Sequence, residues 1–224
     1  ARELPGFGAD TAGEFVRRGL AANVDPPYRD FMAPLLPTVA PSRLVGVRTP
    51  ELRRLAGRLV RRDDARSFLR ALPHELFEED QVHAFAIGEE REYDAALDLY
   101  ERFLPHVDNW ATCDQLPVAV LASRPGETLE RVVAWIGSGR CYAVRFAIGA
   151  LMRFYLDERF EPRFLDFVAA ARLPDAPARP EPGSEAYYVD MMRAWFFAEA
   201  LVRQEASALP YLEPRGIGAP LDEW

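Results

Sequence analysis

Two amphipathic stretches, "TPELRRLAGRLVRR" (residues 49–62) and "DDARSFLRAL" (residues 63–72), follow each other with almost no linker. Pro50 suits the first helical position, and Thr49 before it suits an N-cap. Leucines then recur at helical spacing, at positions Leu52, Leu55 and Leu59. This stretch therefore predicts two consecutive helices that turn back on each other.

The same helical rhythm runs through most of the chain, and no strand or hairpin pattern interrupts it. Successive antiparallel pairs would recur roughly every 35 to 45 residues, a period typical of two-helix HEAT repeats. We therefore predict an all-α fold, a HEAT-like helical-repeat solenoid (α-α superhelix). Residues 1–205 would form one domain, and residues 206–224 a C-terminal tail packed on the last repeat. A compact helical bundle is the alternative.

The composition is that of a globular protein, because 49% of the 224 residues are hydrophobic and can bury a core. The sequence contains no run of 18 apolar residues, so it predicts no membrane span. The first residues lack the basic start and apolar region of a secretory signal, so we expect a cytoplasmic protein. Cys113 and Cys141 are too few for a disulfide framework, and we expect both to be free thiols.

The formal net charge of −8 argues against a polyanionic partner, but the charge is unevenly distributed. Residues 43–70 carry nine arginines and three acidic residues, a local charge of +6, which leaves −14 for the remainder. All 27 basic residues are arginine, a pattern that codon bias alone can produce. Arginine nevertheless suits bidentate phosphate contacts, so the basic stretch permits a nucleic-acid partner.

Several common kinds of catalytic site find no support in this chain. His74, His83 and His106 lie on separate segments without the spacing of a metal site, and we expect them in exposed or capping roles. No glycine-rich phosphate loop, serine nucleophile elbow or paired CxxC motif occurs. The sequence thus gives no reason to expect nucleotide-cofactor, esterase or zinc chemistry.

Polar residues on apolar helix faces are the remaining candidates. In "HVDNWATCDQLPVAVL" (residues 106–121), Trp110 and Asp114 stand one helical turn apart and share a face with apolar residues. Arg145 lies on an apolar face of "CYAVRFAIGALM", where a guanidinium needs a carboxylate or a phosphate. Asp114 is the natural partner, either in a working site or in a buried structural pair between neighbouring repeats.

Trp195 shares a stripe with Tyr188, Met191 and Met192 in "YYVDMMRAWFFAEAL", and such a stripe alone is most often core. If Trp195 and Trp110 converge on Asp114, however, two aromatic faces and a carboxylate would surround one point. That arrangement suits a cationic ligand or a transition state that develops positive charge.

Four segments together resemble the DNA alkylation repair family of HEAT-like glycosylases, the AlkD-like proteins. They are "YRDFMAPLLPTVAPSRLVGVRTPELRRLAGRL", "DNWATCD", "VRFAIGALMRFYL" and "YYVDMMRAWFFAEAL", which span roughly residues 25 to 205 in the family's order. The resemblance implies a catalytic Asp114, with Trp110 four residues before it and Trp195 as a second active-site tryptophan. It also implies that Arg145 grips the DNA backbone.

The resemblance further implies an N-glycosylase that excises positively charged N3- and N7-alkylpurines from duplex DNA, as a monomer, without metal or cofactor. Arginines of the basic stretch would contact the DNA backbone as well: Arg48, Arg53, Arg54 and Arg58. Family members often end in a basic helix, whereas residues 207–224 hold one arginine and three acidic residues. A catalytically silent HEAT-like module that binds nucleic acid or protein is therefore the alternative function.

Overall fold

All regular structure in residues 10–212, the part of the chain that the computed structural model describes, is helical. The chain divides after Glu90 into two compact units. Within residues 10–90, the first unit contains five α-helices: α1 Ala12–Ala21, α2 Pro26–Met32, α3 Thr49–Leu59, α4 Ala65–Arg70 and α5 Phe77–Ile87. Short 3₁₀ turns occupy Ala33–Leu35 and Pro41–Arg43.

The second unit contains seven α-helices in the described residues. They are α6 Tyr93–Phe103, α7 Trp110–Gln115, α8 Pro125–Ile136, α9 Cys141–Phe154, α10 Arg163–Ala170, α11 Glu185–Arg203 and α12 Glu205–Ala208, with 3₁₀ turns at Leu104–His106, Ala119–Ser123 and Leu209–Tyr211. The all-α, helical-repeat class is therefore confirmed. In residues 10–212, no helix has the length and apolar character needed to cross a membrane.

Helix α3 follows the predicted pattern in the first unit. Its three periodic leucines are buried, and α3 packs mainly against α5. The helix begins one residue earlier than predicted, so Arg48 is the N-cap and Thr49 and Pro50 are the first two helical residues. The predicted Thr49 cap was therefore wrong by one position, and the Arg48 side chain makes no capping hydrogen bond.

Helix α5 is buried along its whole length, although three acidic residues and a glutamine follow its first residue, Phe77. Each acid has a partner. Arg43 donates to Asp80 over 2.8 Å, and Arg17 donates to Glu79 over 2.8 Å. Glu78 accepts backbone N–H groups from the loop before α3, with its shortest bond, 2.7 Å, from Gly46. Buried charges are tolerated when they are paired in this way.

Gly46 is required at the centre of this loop by its backbone conformation. Its φ is +90°, in the left-handed region that side-chain-bearing residues rarely adopt. A Cβ atom there would also lie 2.7 Å from the carbonyl oxygen of Asp25, closer than real contacts allow. The glycine thus lets the loop turn its amide groups toward Glu78.

Helix α9 is the core of the second unit, with α8 and α11 packed against it. Every residue of α9 from Cys141 to Met152 is buried, including Arg145. A helix that is apolar on all sides is expected to be surrounded by others, so the burial of α9 follows from its composition. Arg145, the one arginine among these buried residues, places a charge in the middle of the unit.

The end of the chain is described as far as residue 212. Tyr211 stacks near Phe197 of α11, with ring centroids 5.5 Å apart, and its hydroxyl donates to Asp166 of α10. This part of the predicted tail packs on the preceding helices, and residues 213–224 lie outside the described residues. That residues 1–205 form one domain stays a prediction.

Candidate active site

Helix α7 holds two of the predicted site residues at opposite ends of one turn. The Asn109 side chain caps the helix by accepting the Thr112 N–H over 2.8 Å, so the helix starts at Trp110. Asp114 follows four residues later and therefore lies on the same side of α7. Trp110 is half-buried, and 19% of the Asp114 side chain is exposed.

Arg145 of α9 meets the Asp114 carboxylate in a bidentate ion pair. Its Nε donates to Oδ1 over 2.8 Å, and its Nη2 donates to Oδ2 over 2.7 Å. The remaining nitrogen, Nη1, donates to the backbone carbonyl of Tyr188 in α11 over 2.7 Å. The pair thus joins three helices, α7, α9 and α11, at one point.

The charges of this pair stabilise each other in a mostly dry environment. Only 5% of the Arg145 side chain is exposed, and burial by itself lowers the pKa of its guanidinium. The hydrogen bonds and negative charge of Asp114 act in the opposite direction and raise the pKa of Arg145 above its ordinary value. Arg145 is therefore a permanent cation, and the pair as a whole is neutral.

Trp195 lies on α11, the helix whose Tyr188 carbonyl accepts the Arg145 bond. The four residues of the stripe predicted from the sequence do not share one environment. Tyr188 and Met192 are buried, whereas Met191 and Trp195 are exposed, with 45% of Trp195 accessible. Within residues 10–212, the Trp195 ring makes no hydrogen bond or aromatic contact. Trp195 is therefore a surface residue of the second unit rather than part of its core.

The four predicted backbone-binding arginines of the basic stretch belong to the first unit and are exposed. Arg48 pairs with Asp25 over 2.7 Å, and Arg54 pairs with Glu51. Arg53 and Arg58 lie over aromatic rings, at 4.1 Å from the Phe85 centroid and 5.2 Å from that of Phe15. Exposed ion pairs of this kind contribute little and can exchange partners.

Two of the three histidines do not occupy the exposed or capping roles expected for them. His74 and His83 are buried, and their rings share a hydrogen bond of 2.8 Å between Nε2 and Nδ1. His74 also stacks on Phe68 with centroids 4.4 Å apart. The expectation was wrong because α5, which carries His83, is buried on all sides. In residues 10–212, no group of three or more His, Cys, Asp or Glu could hold a metal ion.

Both cysteines are free and buried, which confirms the prediction of free thiols. Cys113, next to Asp114, donates to the carbonyl of Tyr142 over 3.4 Å. Burial raises the pKa of Cys141 to about 12 and that of Cys113 well above its usual range. Neither thiol is a nucleophile at neutral pH, because the thiolate is the reactive form.

Two contacts at this site were missed by reasoning from the sequence. The Tyr188 carbonyl that binds Arg145 is a backbone group, and no residue pattern can reveal it. Arg153, eight residues after Arg145 on α9, donates to the backbone carbonyl of Asp114 over 3.4 Å. The sequence offered one indication of this contact, because Arg153 lies on the same helix as Arg145, about two turns further along.

A family model described as "DNA alkylation repair enzyme" matches residues 16–172. The matched range contains Trp110, Asp114 and Arg145 as well as the basic stretch, and it ends before Trp195. No curated protein and no solved structure matches the chain. The matched range covers well over half of the 224 residues.

Proposed function

This chain belongs to the DNA alkylation repair enzyme family, and from that premise we propose that it is a DNA N-glycosylase for cationic N3- and N7-alkylpurines in duplex DNA. It would act as a monomer in the cytoplasm and without metal or cofactor. The observation that carries this proposal is a partly exposed Asp114 carboxylate, fixed by Arg145, one helical turn from Trp110.

The chemistry needs few groups because the substrate base already carries a positive charge. Such a purine leaves without being protonated, so the enzyme has to stabilise the oxocarbenium-like sugar and admit water. Asp114 supplies the negative charge beside the sugar and orients the water. A carboxylate has about four lone-pair sites, and Arg145 occupies two of them, so the others can accept from water.

The two tryptophans would flank the sugar. Trp110 shares its helix face with Asp114, and its electron-rich ring attracts a cation placed over it. Trp195 offers an exposed ring on α11, the helix that also binds Arg145 through Tyr188. Its role rests on the resemblance alone, because the family match ends at residue 172.

Arg145 has a role that its contacts support directly. By binding both oxygens of Asp114 and the carbonyl of Tyr188, it fixes the rotamer of the acid and ties α7 to α11. The predicted grip of Arg145 on the DNA backbone stays a prediction, and it would require a guanidinium already bonded at all three nitrogens to bind a phosphate as well.

Release of base from alkylated DNA tests the proposal. We expect the purified protein to release N7-methylguanine or N3-methyladenine from methylated duplex DNA, equally well with and without EDTA. Released bases are separated by chromatography and compared with a mock incubation, because cationic purines also depurinate spontaneously. Base release no faster than the mock, at enzyme excess over long incubation, would overturn the glycosylase proposal.

The exposed arginines of α3 give a second expected result. Charge reversal of Arg53, Arg54 and Arg58 together should weaken duplex binding and flatten its dependence on salt. Each lost phosphate contact lowers the slope of log affinity against log salt by about 0.9. Binding titrations over a range of salt concentrations measure this slope. An unchanged slope would show that the three arginines form a solvated face and contact no phosphate.

A silent interaction module of the same family is the second candidate function, and one observation favours it. Arg145 neutralises Asp114 with two short hydrogen bonds, which weakens the field that Asp114 can exert on a developing cation. The net charge of −8 also opposes tight binding to a polyanion. Duplex binding without base release would support this second candidate.

A further inference from the structure

Two arginines of α9 reach the same residue of α7. Arg145 binds the Asp114 carboxylate, and Arg153 donates to the Asp114 backbone carbonyl over 3.4 Å. Eight residues separate them, which corresponds to about 12 Å along a helix axis. Arg145 is buried, whereas Arg153 is exposed. The two side chains thus approach Asp114 from inside the unit and from its surface.

Arg153 differs in its partners from three other exposed arginines of the second unit. Arg102, Arg124 and Arg163 each pair with a carboxylate, at 2.8, 3.1 and 2.8 Å. Among residues 10–212, no carboxylate forms an ion pair with Arg153. Its positive charge is therefore not cancelled by a direct partner there. Because the Asp114–Arg145 pair is neutral, Arg153 gives this surface a positive charge.

The existing bond of Arg153 is weak enough to be exchanged. Its 3.4 Å length lies beyond the usual range for N–H···O hydrogen bonds. A phosphate oxygen would offer a shorter, charge-assisted bond, which is about twice as strong as a neutral one. The Arg153 guanidinium lies next to Gly149, since a Cβ there would be in ordinary van der Waals contact with Nη1 of Arg153, at 3.5 Å. The guanidinium can thus rest over Gly149 beside Asp114.

From these contacts we propose that Arg153 is the residue that binds a DNA phosphate beside Asp114, while Arg145 positions the carboxylate. This inference rests on the proposed function in one respect, namely that duplex DNA is the ligand. It gives separate tasks to the two arginines: the buried one holds the acid, and the exposed one holds a phosphate of the duplex beside it.

The test compares Arg153→Gln with Arg131→Gln, which removes an exposed arginine of α8 that also lacks an ion pair within residues 10–212. Binding to an undamaged duplex is titrated at several salt concentrations. Arg153→Gln should lower the salt slope by about 0.9, so that affinity falls about 3-fold less between 50 and 200 mM salt than in the wild type. Arg153→Lys keeps the charge and should restore most of the slope. Both glutamine variants should melt at the wild-type temperature.

Base release by the same proteins separates this inference from the glycosylase proposal. Arg153→Gln should raise KM more than it lowers kcat, because a phosphate contact is made in the ground state and the transition state alike.

If wild type releases base but Arg153→Gln changes the slope no more than Arg131→Gln, the inference is overturned and the glycosylase proposal stands. A slope change specific to Arg153→Gln, without base release by the wild type, upholds the inference and rejects the glycosylase. A wild type that binds no duplex overturns the inference whatever the base-release result.

Discussion

Asp114→Asn should lower the rate of base release by about 100-fold to 10,000-fold, the range usual for a positioned acid-base group. Asparagine keeps the size of the side chain and one acceptor oxygen, but it removes the charge that would stabilise the oxocarbenium-like sugar. Binding to undamaged duplex should survive or tighten, because a negative charge near the phosphates is gone. Single-turnover base release and duplex titration measure the two effects separately.

The same substitution also disturbs the fold, and the structure shows why. Arg145 is nearly inaccessible to solvent and would lose its counter-charge, keeping the Tyr188 carbonyl and one amide oxygen as acceptors. Removing one partner of a buried pair costs about 3 to 5 kcal/mol, and we expect the lower end because Asp114 is partly exposed. For a protein of this size, about 3 kcal/mol lowers the melting temperature by about 6 to 12 °C.

Asp190→Asn is the matched control for this loss of stability. Asp190 accepts from Arg193 over 2.7 Å, and this pair is also buried in the second unit, where Arg193 caps the end of α10 through two backbone carbonyls. Both asparagine variants should therefore have a lower melting temperature than the wild type. At a temperature where both are folded, only Asp114→Asn should lose base release. An equal loss in both variants would make the Asp114–Arg145 pair structural and would reject a catalytic Asp114.

Glu78→Gln should produce the largest loss of stability in the first unit, about 3 kcal/mol. The Glu78 carboxylate accepts N–H groups from Val45, Gly46 and Val47, and only 1% of the residue is exposed. Hydrogen bonds to a charged group contribute about 1.5 to 3 kcal/mol each, and a buried donor left without an acceptor costs about 1 to 3 kcal/mol. Glutamine can place its one oxygen at Oε1, which accepts from all three amides, but it lacks the negative charge, and its NH₂ group would face the Val45 N–H that Oε2 also accepts.

Chemical denaturation of the wild type and of Glu78→Gln measures this effect. The denaturant concentration at the midpoint of unfolding should fall, while the dependence of the unfolding free energy on denaturant stays the same. Glu75→Gln is the control, since Glu75 is an exposed acid just before α5 that pairs with Arg17 at the surface. That exposed pair should contribute less than about 1 kcal/mol. If Glu78→Gln is no more destabilising than Glu75→Gln, the loop amides do not depend on Glu78.

The helices themselves were predictable from the sequence because a helical period is a local property. The leucines of α3 and the apolar run of α9 place their residues on known faces whatever the rest of the chain does. The spacing of Trp110 and Asp114 on one face of α7 follows from the same geometry. Even the Asp114–Arg145 pair was foreseeable, because an arginine on an apolar helix face requires an anion and Asp114 lies on another such face.

The sequence did not reveal which polar residues become buried. The acidic start of α5 has the composition of an exposed helix terminus, yet its carboxylates are buried. The groups that make this possible lie 37 or 32 residues away along the chain, at Arg43 and Gly46. His83 is buried for the same reason, because neighbouring segments surround the helix that carries it.

The all-α class and the helix periods could thus be read from the sequence alone, as could the residues that we propose for the site. The three-dimensional packing was needed to show that Arg145 binds Asp114 and the Tyr188 carbonyl at once, that Trp195 is exposed, and that Arg153 reaches the backbone of Asp114. The two kinds of property depend on interactions of different range along the chain. Helix formation depends on neighbours three and four residues apart, whereas the environment of a charge depends on groups that distant segments bring to it.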